Sequence, residues 1–133
     1  MSLRGRCLCG AVAYTLDVSM ETLSLCHCTQ CRAANGSIVT PVIVAEAAHV
    51  AFDAPPDVTE YESSPGKYRA FCRACGAPVY SRRDDLPGVL RLRAGLIADL
   101  PEPATLRQQY REEAWPWLPR LAALLARDAN GEA

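Results

Sequence analysis

Seven cysteines fall in three short clusters: Cys7-Leu8-Cys9, Cys26-His27-Cys28-Thr29-Gln30-Cys31 and Cys72-Arg73-Ala74-Cys75, the last followed by Gly76. Cysteines separated by one to four residues present two thiolates from a single turn or strand, the spacing that tetrahedral zinc uses. Seven ligands divide as four plus three. A closed set of four sulfurs holds a fold together, whereas three leave one coordination position for a ligand from solution. The chemistry expected of the open set is thiol chemistry, because zinc holds an incoming sulfhydryl as thiolate near neutral pH.

Cys7, Cys9, Cys72 and Cys75 are expected to share the closed site. Residues two apart on a strand face the same way, so Cys7 and Cys9 can aim at one metal. Cys72, Cys75 and Gly76 read as a zinc knuckle, in which glycine takes the positive φ that lets backbone N–H groups approach the sulfurs. Joining the two pairs ties the chain start to a point 63 residues later, a crosslink of the length a structural site supplies. Cys26, Cys28 and Cys31 then form the open site. His27 lies between two of them and is expected to project away, into a packing or supporting role. A wholly structural second zinc would need His27 or His49 as its fourth ligand. A redox role for Cys72 and Cys75 is disfavoured, since no helical pattern follows them. His49 reads as a surface or packing residue. Trp115 and Trp117 read as cover for the core, with an aromatic wall beside the open zinc as the functional alternative. Arg82-Arg83 and Asp84-Asp85 read as a solvated turn.

The elements that must position these residues are mostly strands. Gly10 to Leu16 alternates, with Val12 and Tyr14 on one face. Ser24-Leu25 leads into the central cluster, and Asn35-Gly36 marks a turn after it. Ile38 to Val44 is rich in β-branched residues and is expected to be a strand, with Pro41 demanding an edge position or a bulge. Val50 to Phe52, Val58 to Glu62, Tyr68 to Phe71, Pro78 to Ser81 and Val89 to Leu92 read as further short strands. Beyond Pro116, Leu118, Leu121, Ala122 and Leu125 recur at helical spacing. Pro119 suits the first turn and Asn130-Gly131 the end. The pattern is a mostly antiparallel β domain with one helix near its end.

The chain of 133 residues, half hydrophobic and 22% charged, is read as a single globular domain over 1–133. No apolar run approaches the ~20 residues of a membrane-spanning helix, and no secretory pattern opens the sequence. A reducing cytoplasm is therefore the expected compartment, where clustered cysteines serve metals rather than disulfides. The net charge of −1 and the scatter of basic residues give no footing for nucleic acid. No membrane partner is expected either, and nothing in the pattern specifies an oligomeric state.

Gly5-Arg6-Cys7-Leu8-Cys9-Gly10, the Cys26-His27-Cys28 to Cys31-Arg32 block and Phe71-Cys72-Arg73-Ala74-Cys75-Gly76 together resemble the glutathione-dependent formaldehyde-activating enzyme family, also named with centromere protein V. The stretch from Ala94-Gly95-Leu96 to Asp99 and Trp115-Pro116-Trp117 are similar to later features of the family. The resemblance spans nearly the whole chain. It implies a mainly β fold of the β-tent type, with stacked antiparallel sheets built around zinc and a short C-terminal helix. It also implies two zinc ions, a structural one on Cys7, Cys9, Cys72 and Cys75 and a catalytic one on Cys26, Cys28 and Cys31. The activity implied is that of a carbon–sulfur lyase, an S-(hydroxymethyl)glutathione synthase-like enzyme joining formaldehyde to glutathione or a similar small thiol. Arg32 and Arg69, close in sequence to metal ligands, are candidates for holding a carboxylate of that thiol. The alternative is a non-enzymatic zinc-binding module that captures a protein or a thiol.

Overall fold

In the computed structural model, which describes residues 2–127, the alternating segments form ten strands. They are β1 (Ser2–Arg6), β2 (Ala13–Asp17), β3 (Thr22–Cys26), β4 (Thr40–Glu46), β5 (Val50–Phe52), β6 (Val58–Ser64), β7 (Lys67–Cys72), β8 (Pro78–Arg83), β9 (Val89–Arg93) and β10 (Thr105–Gln109). Two helices complete the set, α1 (Thr29–Asn35) and α2 (Pro119–Arg127). The strands make a three-stranded sheet in the order β1-β2-β5 and a seven-stranded sheet in the order β10-β3-β4-β9-β8-β7-β6. The fold is mainly β, with two sheets and a short helix at the C-terminal end, as the pattern and the resemblance led us to expect.

Register explains how the larger sheet serves both core and site. Residues directly opposite in an antiparallel ladder share a face. Ile43, Leu92, Tyr80 and Ala70 stand in one such row across β4, β9, β8 and β7. All four are buried, and they pack with Leu3, Val12, Tyr14 and Leu16 of the N-terminal segment. The next row, shifted by one residue, lies on the opposite face: Val44, Arg91, Ser81, Arg69 and Tyr61. A single-residue offset thus separates an apolar core from a polar, basic face, part of which is itself buried. Within the core, Tyr14 meets Phe52 edge-on at 5.7 Å between ring centroids. Gly5 makes room for the Tyr14 ring, into which any β-carbon there would collide.

Four expectations are corrected. Cys7 and Cys9 lie in the turn after β1 rather than on a strand, where the Cys7 N–H donates to the Val12 carbonyl and Gly10 takes a φ of 82°. Pro41 is neither at a sheet edge nor at a bulge, because β4 is central. It is tolerated near the start of β4, where the ladder to β9 begins only at Val42. The sheets are mostly antiparallel, as expected, with β10 joining β3 in parallel. Trp115 and Trp117 do not cover the core; both are substantially exposed and stack on one another at 5.5 Å. Pro119 does open α2, whereas Asn130-Gly131 lies outside the described residues. Arg82 does not stay in a solvated turn but closes onto Glu60 through Nε and Nη2.

Candidate metal centres

The turn after β1 and the turn after β7 bring Cys7, Cys9, Cys72 and Cys75 together, with their four sulfurs all within 4.8 Å of one another. Four sulfurs around zinc at ~2.3 Å stand ~3.8 Å apart along the edges of the tetrahedron. Cys7 and Cys9 are separated by 3.7 Å, and Cys9 and Cys72 by 3.8 Å. The donor set therefore fits a tetrahedral thiophilic ion. The knuckle is built as a tight turn in which Gly76, at φ 78°, donates its N–H to the Cys72 carbonyl while Cys72 donates its own to Ala77. Backbone N–H groups of Ala77 and Cys9, followed by the Cys72 thiol, lower the Cys75 thiol to about 6 against the opposing effect of desolvation. Cys7 and Cys72 are fully buried, so a metal there would sit against the apolar core.

The second cluster is assembled over one turn of chain. Cys26 ends β3, Cys28 caps α1 by accepting the Cys31 N–H at 3.2 Å, and Cys31 lies within the helix. Gly36 closes that seven-residue helix in the left-handed region, its N–H donating to the Arg32 carbonyl. The three sulfurs lie within 4.8 Å of one another, and no histidine, cysteine or carboxylate among the described residues joins them as a fourth ligand. His27 is buried and points away, Nε2 meeting Gln108 Oε1 at 3.0 Å. His49 is exposed at the end of a short turn after β4.

The charge on this cluster is unevenly held. Cys26 donates to Cys31 at 3.4 Å. That bond comes first among the influences that lower the Cys31 thiol to about 4, followed by Cys28 and by the Arg69 guanidinium, against the opposing effect of burial. Its partner Cys26 moves the other way, raised by the same bond and by desolvation. Between Cys26 and Cys31 the negative charge thus falls on Cys31. Three sulfurs within 4.8 Å of one another also fit a thiophilic cation, which binds such groups as thiolates.

The surroundings reveal where the other expected residues stand. Arg69, on β7, is 4% exposed; Nε donates to Ser63 and both Nη1 and Nη2 approach Cys31 Sγ at 3.6 Å. Arg32 lies over the Trp115 ring at 4.2 Å, with Nη1 buried and unpartnered. Several residues the sequence reading passed over also converge here. Glu113 accepts from both N–H and Oγ1 of Thr29, pinning the start of α1 to the segment that follows β10. Asn35 donates to the Cys31 carbonyl at 2.7 Å and accepts from Arg93 Nε at 3.0 Å. Lys67 and Arg91 complete a group of four cations on this face. Burial lowers Lys67, Cys31 raises it, and Arg69 and Arg91 lower it further. The alternations Lys67-Tyr68-Arg69 and Arg91-Leu92-Arg93 were the available signal, because residues two apart on a strand share a face.

The family described as glutathione-dependent formaldehyde-activating enzyme matches residues 2–117. No curated protein matches the chain. Among solved structures, the crystal structure of a Rhodobacter sphaeroides protein is similar at 19% identity with a TM-score of 0.63, covering 80% of this chain and 100% of that one. At that identity the likeness concerns the fold.

Proposed function

The chain belongs to the glutathione-dependent formaldehyde-activating enzyme family, and from that premise we propose that it catalyses reversible addition of a thiol, glutathione or a close relative, to a small aldehyde. The observation that carries the reading is the second cluster: three thiols within 4.8 Å, with no fourth protein ligand among the described residues. Zinc bound by Cys26, Cys28 and Cys31 would supply an exchangeable fourth position and the positive charge that keeps a guest thiol ionised at neutral pH. The closed set of Cys7, Cys9, Cys72 and Cys75 would hold a second, structural zinc.

In the forward direction the thiol loses its proton, its sulfur bonds to the aldehyde carbon, and the carbonyl π pair moves to oxygen, which takes up a proton. The product is an S-(hydroxymethyl) adduct, and the reverse reaction is carbon–sulfur lysis. Arg69 keeps Cys31 oriented and ionised through its two N–H contacts. Arg32, flat on Trp115, extends an aromatic and cationic wall along α1, and a carboxylate of the thiol is assigned to it. Glu113 and Asn35 fix the two ends of α1, so the three sulfurs keep their spacing. A reducing cytoplasm suits seven free thiols. No helix among the described residues is long and apolar enough to cross a membrane.

Glutathione and S-methylglutathione titrated into zinc-loaded protein between about pH 6 and 8 test the reading, alongside adduct formation from ¹³C-formaldehyde followed by NMR. A thiol bound as thiolate gains affinity as pH rises, whereas carboxylates are already ionised across that range. Glutathione is expected to bind more tightly with pH, the S-methyl compound weakly and without pH dependence, and adduct exchange to be accelerated. Equal, pH-independent affinity for both compounds would falsify the thiolate mechanism. Binding of glutathione without accelerated exchange would leave a thiol-binding module.

A further inference from the structure

A cavity of about 220 Å³ is lined among others by Asn35, Tyr61, Arg69, Phe71, Tyr80 and Arg93, with none of the three cysteines in its wall. Two of its lining residues connect it to the three-thiol cluster: Arg69 reaches Cys31 Sγ, and Asn35 donates to the Cys31 carbonyl. Tyr61 and Phe71 form an aromatic side, their rings 6.2 Å apart, and Tyr61 is exposed to solvent. No aspartate or glutamate lines the cavity, and neither Arg69 nor Arg93 forms a salt bridge among the described residues.

Charge and size decide what such a cavity takes. Three thiolates and one Zn²⁺ carry a single net negative charge, which Arg69 already faces. Arg93 forms no salt bridge among the described residues, and the negative charge that acts on it is that of the cysteine cluster. Arg93 is 6% exposed; Nε donates to Asn35 Oδ1 and Nη1 donates to the Arg91 carbonyl. Burial, with Arg69 and Arg91 nearby, brings its pKa down to about 10 despite the favourable influence of Cys31. A largely buried guanidinium whose hydrogen bonds go only to neutral groups gains from an anion supplied by solution. At ~30 Å³ for each water-sized group, the cavity holds about seven non-hydrogen atoms. Formaldehyde would leave most of it empty.

Resting on the thiol–aldehyde reading above, the geometry points to a small aldehyde bearing a carboxylate as the carbonyl substrate of this chain, its carboxylate held by Arg93 with Arg69 beside it. Thiol sulfur adds to the aldehyde carbon, the carbonyl oxygen is protonated, and the carboxylate is unchanged. The product is a carboxylated hemithioacetal, formed without oxidant or reductant. The aromatic side contributed by Tyr61 and Phe71 covers the carbons between the two ends.

The test compares glyoxylate and succinate semialdehyde with formaldehyde and butyraldehyde, each with glutathione and with 2-mercaptoethanol, on zinc-loaded protein. Hemithioacetal exchange is followed by NMR, and succinate binding by calorimetry supplies a readout independent of turnover. Wild-type protein is expected to favour the carboxylated aldehydes about tenfold or more in kcat/KM, a difference of ~1.4 kcal/mol, with either thiol. Arg93→Gln should lower that preference and weaken succinate binding, and Arg93→Lys should restore part of both. Equal rates for charged and uncharged aldehydes in the wild type overturn the inference. So does a loss in Arg93→Gln that appears only with glutathione, which would assign the cavity to the thiol's own carboxylate. Should Arg93→Gln fail to fold, the wild-type preference and Arg93→Lys still decide. If no aldehyde is processed at all, the proposed function fails, and succinate binding alone tells whether the cavity takes a carboxylate.

Discussion

Arg69 presents both terminal nitrogens at 3.6 Å from Sγ of Cys31, a residue 38 positions earlier in the chain. The planar fork of a guanidinium suits this task, since two N–H groups can converge on one large sulfur anion. It also places a positive charge where a zinc-loaded trithiolate has an excess negative one. Arg69→Gln is expected to weaken the open site about tenfold for metal, the usual scale for groups that support a ligand. Competition with a colorimetric chelator measures this. A release rate unchanged for the weaker ion would show that the contact does not stabilise the site.

Cysteine substitutions should separate into two classes. Cys72 is fully buried between the knuckle and the core, and structural zinc binding contributes on the order of 10 kcal/mol of folding free energy in small domains. Cys72→Ser should therefore yield insoluble or unfolded protein. Cys28→Ser should stay folded and carry one zinc in place of two. Elemental analysis and circular dichroism read the outcome, and similar behaviour of both variants would mean that the clusters have the opposite roles.

Glu113 holds the first turn of α1 through Thr29, in the manner of a capping group supplied from a distant segment. Glu113→Ala should loosen Cys28 and Cys31 without touching the core. Faster loss of the weaker ion to chelators, with a denaturation midpoint close to wild type, is the expected combination.

The fourth prediction concerns alkaline stability. Burial raises the Tyr14 hydroxyl to about 12, and the oxygen has no hydrogen-bond partner. Its folded pKa lies above the ordinary value near 10, so ionisation favours the unfolded chain once that value is passed. The stability is fully present below pH ~10 and declines by about 1.4 kcal/mol per pH unit as pH rises toward the folded value. Tyr14→Phe removes a buried unsatisfied hydroxyl and should match or exceed wild type at pH 8. Urea unfolding at several alkaline pH values should show the wild type falling relative to this variant above pH ~10. Parallel curves would contradict the assignment.

The sequence exposes what is local and periodic. The knuckle, the paired cysteines and the alternating strands from β4 to β9 are each readable because the cause lies within a few residues. Helix α1 was not readable, because seven polar and small residues carry no apolar stripe. It forms because Cys28 caps it, Gly36 ends it and Glu113 anchors it from elsewhere. Strand β10 is mostly exposed and lacks alternation, so only its partner β3 makes it a strand. The same holds for the basic face: Lys67-Tyr68-Arg69 and Arg91-Leu92-Arg93 alternate visibly, but only the register through Ser81 sets Arg69 and Arg91 on one row.

The parallel pairing of β3 with β10 sets an order of assembly. Gln108, which supports His27, is 81 residues beyond it, and the carbonyl of Gln109 receives the His27 N–H. The cysteines of the open cluster thus leave the ribosome long before the residues that brace them. A nascent chain must carry these three thiols without that support until residues 108 and 109 have emerged, exposed to stray metals and to oxidation. Closing a parallel ladder across so long a stretch of chain is entropically slow. The open site therefore depends on long-range closure for its support, even though its three cysteines are neighbours in sequence.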